Sequence, residues 1–344
     1  MAAPNLSEMV TTTLRNRTGE LADNVSRNNA ILIRLSQRGF SKPIDGGRTI
    51  VQEINYANNQ TWTRYSGYEL INIQPSDTIS AAEFAIRQAA VAISISGLEQ
   101  LQNSGKEQII DLLEARINNA NETMSNGLAY DMYSDGSQTG QMNGLQSLVA
   151  DSPATGTVGG IDRASFPFWR NKVYSGTSDG GAAVNAANIR SYMNSLALQL
   201  IRGRDAPDLA LADGTFYEYF LESLQAIQRI AEADSAFTAA GFPAIAYMGT
   251  GKKMDVVCDG GYQGSTNDGD TFGPGGAAAL GGAPASHMYM LNSKYIFYRP
   301  HRDRNCVPIG DDRYSVNQDA MVQLIGWAGN MTISNCFLQG VLIA

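Results

Sequence analysis

The stretch that decides the fold reads GRTIVQEINYANNQTWTRYSGYELINI at residues 47–73, FAIRQAAVAISI at 84–95 and SGKEQIIDLLEARINNANETMSNGLAYDMYSDG at 104–136. The first segment is extended, polar and aromatic. The second alternates small and apolar residues, as a strand does, and the third has the period of an amphipathic helix. A long hairpin-like arm that feeds a long helix can bury little of its own surface. We therefore predict that this arm lies on a neighbouring subunit.

The third segment predicts a single helix from Ser104 to Tyr133. Ser104 and Glu107 form a capping box at its start, and residues 134–136, Ser-Asp-Gly, end it. One face carries apolar residues at spacings of three and four: Ile109, Leu113, Ile117, Ala120, Met124 and Leu128. At ~1.5 Å per residue the helix is roughly 43 Å long. Taken alone, it is equally consistent with an ordinary core helix of a large enzyme.

The segment before the helix predicts a two-stranded ribbon. Residues 51–73 have high β-propensity, and a polar turn over 57–60 divides them. A lone ribbon is marginally stable in water, so it must pack against something. Two interpretations stay open: a sheet edge packed within its own domain, or an arm ordered by contact with another copy of the chain.

Beyond residue 184 the pattern becomes mixed α/β. It predicts a helix that ends near Gly203 and a second helix over 214–230, with Asp213 or Thr215 as its N-cap. The predicted strands cover 208–212, 243–248, 254–258, 288–299 and 319–333. The glycine-rich segment 259–282 predicts a flexible loop. Its aspartates Asp259, Asp268 and Asp270 could bind calcium, although their spacing matches no EF-hand.

Five short motifs carry a family resemblance along nearly the whole chain. They are GLQSLV at 144–149, GTVGGIDR at 156–163, FWRN at 168–171, WAGN at 327–330 and QGVL at 339–342. In this order, and with the elements above, they resemble the major capsid (coat) proteins of tailed bacteriophages. The resemblance implies an α+β class and the Hong Kong 97-type fold, with an N-terminal arm, an E-loop, a spine helix in a peripheral domain, and an axial domain.

The resemblance also implies a division of the chain. The expected parts are the N-terminal arm at 1–45, the E-loop and its base strands at 46–96, the peripheral domain with its spine helix (104–133) at 97–184, the axial domain at 185–287, and strands returning toward the peripheral domain at 288–344. In the family, the axial domains gather around the fivefold and sixfold axes of the shell.

The implied function is a structural one. The chain would assemble through pentamers and hexamers into an icosahedral shell that encloses double-stranded phage DNA without sequence-specific binding. The implied partners are many copies of itself, a separate scaffolding protein, a portal and a decoration protein, and the expected location is the virion, after assembly in the host cytoplasm. We expect Trp62, Tyr65, Tyr68 and Arg64 of the E-loop to be at the assembly interface, because buried aromatic residues dominate interface energy. The open alternative is that the three aromatic rings pack within their own subunit.

Some members of the family join an E-loop lysine covalently to an asparagine of a neighbour. This chain has no lysine between Lys42 and Lys106. The E-loop therefore cannot supply the amine, unless Lys42 at its base substitutes. We predict a shell held together by noncovalent contacts.

Composition and charge are consistent with this reading. Charged residues make up 17% of the chain, and few charges suit a molecule that uses much of its surface for contacts. The net charge of −8 is uneven: residues 1–50 carry +3 and the remainder −11. A basic arm against an acidic body could steer one subunit to another, or could simply be solvated. No apolar run reaches the ~18–20 residues of a membrane span, and residues 1–5 lack a signal-peptide pattern.

The sequence contains few residues that could form a catalytic or metal-binding site. Cys258, Cys306 and Cys336 form no CxxC pair and predict reduced thiols, and only two histidines are available to a metal. We expect no catalytic residue, no cofactor and no metal. Two alternatives remain: a bacterial nanocompartment shell protein of the same fold, which would enclose an enzyme, and an α/β enzyme with an unrecognised site.

Overall fold

The computed structural model describes residues 29–74, 76–98, 106–225, 244–249, 251–259, 282–310, 313–314 and 319–344. Its helices are α1 Ala30–Gln37, α2 Lys106–Tyr133, α3 Leu145–Leu148, α4 Ile189–Leu200 and α5 Gly214–Gln225. The strands before residue 200 are β1 Thr49–Asn55, β2 Ile79–Ala85, β3 Arg87–Ser96, β4 Thr157–Val158, β5 Ile161–Asp162 and β6 Lys172–Ser175. Those after it are β7 Leu209–Ala212, β8 Ala244–Tyr247, β9 Met254–Cys258, β10 His287–Leu291, β11 Ile296–Pro300, β12 Val307–Pro308, β13 Arg313–Tyr314, β14 Ala320–Ile333 and β15 Gly340–Ile343.

The long helix α2 is present as predicted and ends at Tyr133. At ~1.5 Å per residue its 28 residues are about 42 Å long. The described members of the predicted apolar stripe, Ile117, Ala120, Met124 and Leu128, are all buried. Ser104 of the capping box and the side chains of Ile109 and Leu113 lie outside the described residues. The helical period in the sequence therefore identified the buried face correctly.

The predicted ribbon exists, but its second strand was wrong. β1 pairs antiparallel with β2, from Thr49 opposite Ala85 to Asn55 opposite Ile79. The return strand is thus 79–85, and residues 56–78 form a loop without regular strand structure in its described part. The residues predicted to form the return strand have β-propensity but no surface to pack against, since Leu70 and Ile73 are exposed.

The predicted strand over 84–95 is divided between two sheets. Its first residues belong to β2 and face β1, whereas β3 pairs antiparallel with the 14-residue strand β14. The strand thus changes partner at Ile86, which separates β2 from β3. β14 also pairs with β11, β12 and β13, and α2 lies against β3. The hairpin β1–β2 therefore emerges directly from the sheet that supports the long helix.

The second sheet has six strands in the order β6-β15-β10-β7-β9-β8. The strands predicted at 208–212, 243–248 and 254–258 appear in it as β7, β8 and β9. Asp213, one of the two predicted N-caps, caps α5 by accepting from the backbone N–H of Phe216 at 2.9 Å. Helices α4 and α5 pack on this sheet around a core of their own. Ile227 and the rest of the predicted helix beyond residue 225 lie outside the described residues.

The strand predicted over 288–299, which was expected to return beneath the long helix, needs correction. It is two strands, β10 and β11, separated by a 3-10 turn at Ser293–Tyr295. β10 lies at the centre of the six-stranded sheet, between β15 and β7, and only β11 joins β14. The turn is fixed by Asp208, which accepts from both the N–H and the hydroxyl of Ser293 at 2.7 Å. The domain limits themselves stay a prediction.

The described part of the predicted N-terminal arm, 29–45, packs against its own chain. Asn29 caps α1 through its side chain, and residues 30–35 of the helix are buried. Arg34, expected on a basic arm, instead forms a buried ion pair with Asp255 and lies 3.8 Å from Asp208. After the helix, the N–H of Lys42 donates to the carbonyl of Tyr298 at 2.9 Å. Residues 1–28 lie outside the described part of the chain.

Candidate assembly surface

The exposed apolar side chains of this protein are concentrated on one hairpin. Among the described residues, fourteen large hydrophobic side chains are exposed, and nine of them lie between Val51 and Ile79. The 23 residues between β1 and β2, at positions 56–78, are called the hairpin loop below. Connections longer than about 12–15 residues are uncommon and usually functional or disordered. Large exposed apolar patches mark interaction sites, so this hairpin is the candidate assembly surface.

Short polar contacts give the hairpin loop its shape. The Oδ1 atom of Asn59 accepts from the N–H of Thr61 at 3.0 Å, from its hydroxyl at 2.8 Å, and from the hydroxyl of Ser76 at 3.2 Å. Glu69 accepts from the N–H of Ser66 at 3.0 Å. These bonds join residues that are mostly two or three positions apart, as in Asx turns. Local hydrogen bonding, and not apolar packing, therefore holds the loop.

The four residues predicted to mediate assembly all lie on the hairpin loop. Trp62 is 76% exposed and Tyr65 63%, and Tyr68 is fully exposed. Arg64 lies over the Trp62 ring, 5.4 Å from its centroid, in a cation–π contact. Among the described residues, neither Tyr65 nor Tyr68 contacts another aromatic ring. The structure thus brings Trp62 and Arg64 together and leaves the three aromatic side chains available to a partner.

The base of the hairpin is fixed to the segment that follows α3. The Tyr56 ring stacks on Phe168 at 5.4 Å, and the N–H of Glu83 donates to the carbonyl of Gly159 at 2.9 Å. Gly159 has a φ of +59°, and a Cβ there would lie 2.8 Å from the Cβ of Ala82. Only glycine therefore allows the backbone to approach the hairpin so closely. This residue belongs to the GTVGGIDR motif, which gave no indication of its contact.

Asn330 joins three parts of the chain beside the hairpin base. Its Nδ2 atom donates to the carbonyl of Ala85 at 2.8 Å and to Oδ1 of Asn143 at 3.0 Å. Its Oδ1 atom accepts from the N–H of Asn143 at 2.9 Å and from that of Met331 at 2.8 Å. Asn330 itself is completely buried, so water has little access to its end of these bonds. The end of β2, the strand β14 and the segment after α2 are thereby held in one arrangement.

A second polar junction lies where α1, the end of α2 and β9 meet. Asp259 accepts from the hydroxyl of Tyr133 and, at 3.4 Å, from the N–H of Ala30. Burial raises the pKa of Asp259 to about 6, although both hydrogen bonds act in the opposite direction. Burial and the neighbouring Asp259 raise the pKa of Tyr133 well above its ordinary value. Asp268 and Asp270, the other aspartates considered for calcium, lie outside the described residues.

The thiols have the properties of structural cysteines. Cys258, Cys306 and Cys336, all within the described residues, form no disulfide bond, and Cys306 and Cys336 are buried. Burial raises the pKa of each of these two thiols to about 12, so both are protonated at neutral pH. Within the described ranges, no three His, Cys, Asp or Glu side chains form a cluster that could hold a metal ion. None of the helices in this part of the chain has the length and apolar character of a membrane span.

Sequence comparisons identify no relative. No protein-family model matches the chain, and no curated protein is detectably similar to it. Solved structures do share its fold. The structure of the cyanophage A-1(L) capsid asymmetric unit has a TM-score of 0.55 at 12% identity, over 90% of this chain and 92% of that chain. A structure from Mycobacterium phage Bobi has a TM-score of 0.50 at 12% identity, over 89% of each chain.

The likeness extends over nine-tenths of both chains in the first of these structures, so it concerns the whole architecture and not one motif. Identity this low carries information about fold alone. The long helix on a sheet, the protruding hairpin and the separate six-stranded sheet correspond to the elements that the resemblance implied. The chain has the Hong Kong 97-type α+β fold of tailed-phage major capsid proteins.

Proposed function

We propose that this chain is the major capsid protein of a tailed bacteriophage. It would assemble through pentamers and hexamers into an icosahedral shell that encloses double-stranded DNA without sequence-specific binding, and it would have no catalytic role. The observation that carries the proposal is the hairpin loop, whose aromatic side chains are exposed in the single chain. The likeness to the cyanophage A-1(L) capsid supports it.

The mechanism is the coverage of the hairpin loop by a second copy. Trp62, Tyr65 and Tyr68 would be buried on the adjacent peripheral domain, with Arg64 beside Trp62. Each aromatic side chain would contribute about 1.5–3 kcal/mol when fully buried. The contact is heterologous, because the loop of one copy meets a different surface on the next, and such contacts generate rings when the rotation closes. Several modest contacts per subunit would allow errors to be reversed during assembly.

The shell would be noncovalent. The hairpin loop contains no lysine, and Lys42 lies in the segment before the hairpin, with its Nζ atom 5.2 Å from the centroid of the Phe297 ring in its own subunit. Particles boiled in detergent should therefore dissolve into monomer-sized bands. A ladder of multimers on the same gel would contradict this part of the proposal.

The remaining partners follow from the same function. A separate scaffolding protein, a portal and a decoration protein would act with the shell, and the protein would reside in the virion after assembly in the host cytoplasm. Electron microscopy of the purified chain tests the central claim. Closed shells, or rings of five or six copies, would support it, whereas a monomer that persists with a co-expressed candidate scaffold would contradict it.

A paired substitution tests the role of the hairpin loop. The variant Tyr65→Ala removes a side chain that is 63% exposed, and the control Leu198→Ala removes an apolar side chain of the same exposure on α4. We expect fewer particles from Tyr65→Ala, and fewer still when Trp62→Ala and Tyr68→Ala are added, but normal yields from Leu198→Ala. Equal yields from the triple variant and the wild type would contradict the role of these anchors.

A further inference from the structure

Five cationic side chains are connected by contacts at the end of the six-stranded sheet where β6, β7 and β9 begin. We call this group the basic cluster; its members are Lys172, Arg202, Arg204, Lys252 and Lys294. All except the half-buried Lys172 are exposed. On a chain whose net charge is −8, a local concentration of positive charge is notable.

The Phe337 ring gathers the first two members of the cluster. The Nζ atom of Lys172 lies 4.2 Å from its centroid and the guanidinium carbon of Arg202 4.8 Å from it. Neither cation forms an ion pair with a carboxylate of the described residues. Two like charges are therefore held within about 9 Å of each other by an aromatic ring, without an anion between them.

The turn at residues 202–205 connects the remaining members. Asp205 closes a tight turn with Arg202 through two backbone hydrogen bonds of 2.9 Å. Its side chain forms a 3.1 Å ion pair with Lys294 and accepts from the hydroxyl of Tyr295 at 2.7 Å. Lys252 donates to the carbonyl of Arg204 on the same turn. The five cations and the one carboxylate bonded to them, that of Asp205 on Lys294, have a formal charge of about +4, from five positive charges and one negative.

From this geometry we propose that the basic cluster is a binding surface for the phosphate backbone of nucleic acid. Exposed arginine and lysine side chains on a short turn suit contacts to phosphates, which position a strand without reading its sequence. The net charge of −8 would weaken contact elsewhere on the chain relative to the basic cluster. The inference rests on the proposed function only for the source of the nucleic acid, which would be the enclosed DNA.

A charge-reversal pair provides the test, because the chain contains a matched control turn. Arg202 and Arg204 flank Gly203 in the cluster, whereas Arg302 and Arg304 flank Asp303 in another exposed turn that is also closed by a β-bridge. Arg302 is paired with Asp45 at 2.9 Å, so the positive charge of the control turn is largely balanced. The variants Arg202→Glu/Arg204→Glu and Arg302→Glu/Arg304→Glu change the net charge equally, at two different places on the surface.

The measurement is fluorescence anisotropy of a short labelled DNA duplex of mixed sequence, titrated with the full chain between about 20 and 200 mM salt. We expect the cluster variant to weaken binding at least about tenfold and the control variant less than about threefold. Loss of two phosphate contacts should reduce the log–log salt slope by about 1.8. The conservative variant Arg202→Lys/Arg204→Lys should bind as the wild type does, and circular dichroism verifies that each variant is folded.

The proposal would be overturned if the wild type did not bind DNA at low salt, or if both reversal variants weakened binding equally. It would also be overturned if the cluster variant Arg202→Glu/Arg204→Glu bound DNA normally but its copies associated less well with one another. The last result would assign the cluster to a protein–protein contact. If the chain formed shells but did not bind DNA, this inference would be rejected and the proposed function would stand. If the chain bound DNA but never formed shells, the proposed function would be rejected and this inference would stand.

Discussion

The base of the hairpin and its loop contain similar apolar residues, but those on one face of the base are buried and those of the loop are exposed. In β1 and β2, Ile50, Ile54, Ala82 and Phe84 alternate with exposed residues, and all four are buried. The hairpin loop has equally apolar side chains, yet its three predicted aromatic anchors and Leu70 are exposed. The comparison teaches that β-propensity and hydrophobicity specify structure only where the same chain offers a facing surface. Among the described residues, the loop finds no such surface.

The hydrogen bonds of the two regions differ in the same way. Asn330 at the base and Asn59 in the loop each make several bonds. Those of Asn330 are buried or part-buried and include partners 187 and 245 positions away, while those of Asn59 are exposed and reach at most 17 positions. Burial decides how much each set contributes, because water replaces the exposed bonds more easily.

A large effect is expected from Asn330→Ala. Removing the amide takes a partner from the buried N–H of Met331 and from the part-buried carbonyl of Ala85 and N–H of Asn143. Since a buried unsatisfied group costs about 1–3 kcal/mol and water satisfies the part-buried groups more easily, we expect the free energy of unfolding to fall by about 3 kcal/mol. Urea denaturation of the unassembled chain measures it.

The control for this change is Asn59→Ala, which removes a similar number of exposed bonds. We expect it to lower the free energy of unfolding by less than about 1 kcal/mol, because water satisfies the freed groups. Equal losses from both variants would remove the distinction between base and loop. A small loss from Asn330→Ala alone would mean that the junction at the hairpin base is not rigid.

The second prediction concerns the pH dependence of the polar junction where α1, the end of α2 and β9 meet. Burial raises the pKa of Asp259 from its ordinary 3.8 to about 6, so the folded state binds more protons than the unfolded state between these values. The stabilisation by the protonated carboxyl is therefore fully present below about pH 4 and is lost as pH rises through about 6. Over this range the free energy of unfolding falls by about 3 kcal/mol in total. The variant Asp259→Asn keeps an oxygen acceptor for Tyr133 and Ala30 but cannot ionise.

We expect Asp259→Asn to be more stable than the wild type at neutral pH and to match it near pH 4. Chemical denaturation at several pH values measures the difference. Asp205→Asn is the control of opposite sign, because hydrogen bonding by Tyr295 lowers the pKa of Asp205 and its contribution is lost as pH falls. A wild-type-like pH profile for Asp259→Asn would contradict the prediction.

The third prediction uses two glycines to isolate the contact at the hairpin base. Gly159 and Gly156 both have positive φ, but a Cβ at Gly159 would meet Ala82, whereas one at Gly156 would have no neighbour within 4 Å. Both substitutions to alanine carry the backbone penalty of about 1 kcal/mol, and Gly159→Ala adds the steric conflict. We expect Gly159→Ala to be less stable than Gly156→Ala by about 2 kcal/mol in thermal unfolding. Equal stability would mean that the hairpin can move away from this segment.

Sequence periodicity predicted the elements whose partners are supplied by the chain itself. The stripe along α2 indicated its buried face, and Asp213 was a correct N-cap because capping depends on residues three positions apart. The return strand of the hairpin was placed too early, within 61–73. The residues from Trp62 to Ile73 look like a strand in composition, and nothing local reveals that they have no surface to cover.

The junctions around the candidate surface could not be predicted for a different reason. Asp259 meets Tyr133 across 126 positions and Ala30 across 229, so its raised pKa depends on tertiary structure alone. The basic cluster likewise joins residues from 172 to 294 that show no charge run in the sequence. The motifs WAGN and GTVGGIDR contain Asn330 and Gly159, but a short motif alone does not indicate which distant residues its members will contact.

The smallest expected effect is the one that most directly tests the contrast between base and loop. Trp62→Ala in the unassembled chain should change the free energy of unfolding by less than about 0.5 kcal/mol, because the ring is 76% exposed and its described contact is with Arg64. Phe84→Ala at the base removes a buried ring and should cost about 3–5 kcal/mol in the same urea titration. If Trp62→Ala also cost several kcal/mol, the ring would be packing within its own subunit, and its place on a neighbour would have to be abandoned. A near-zero change together with lost particle yield assigns the ring to contact between subunits.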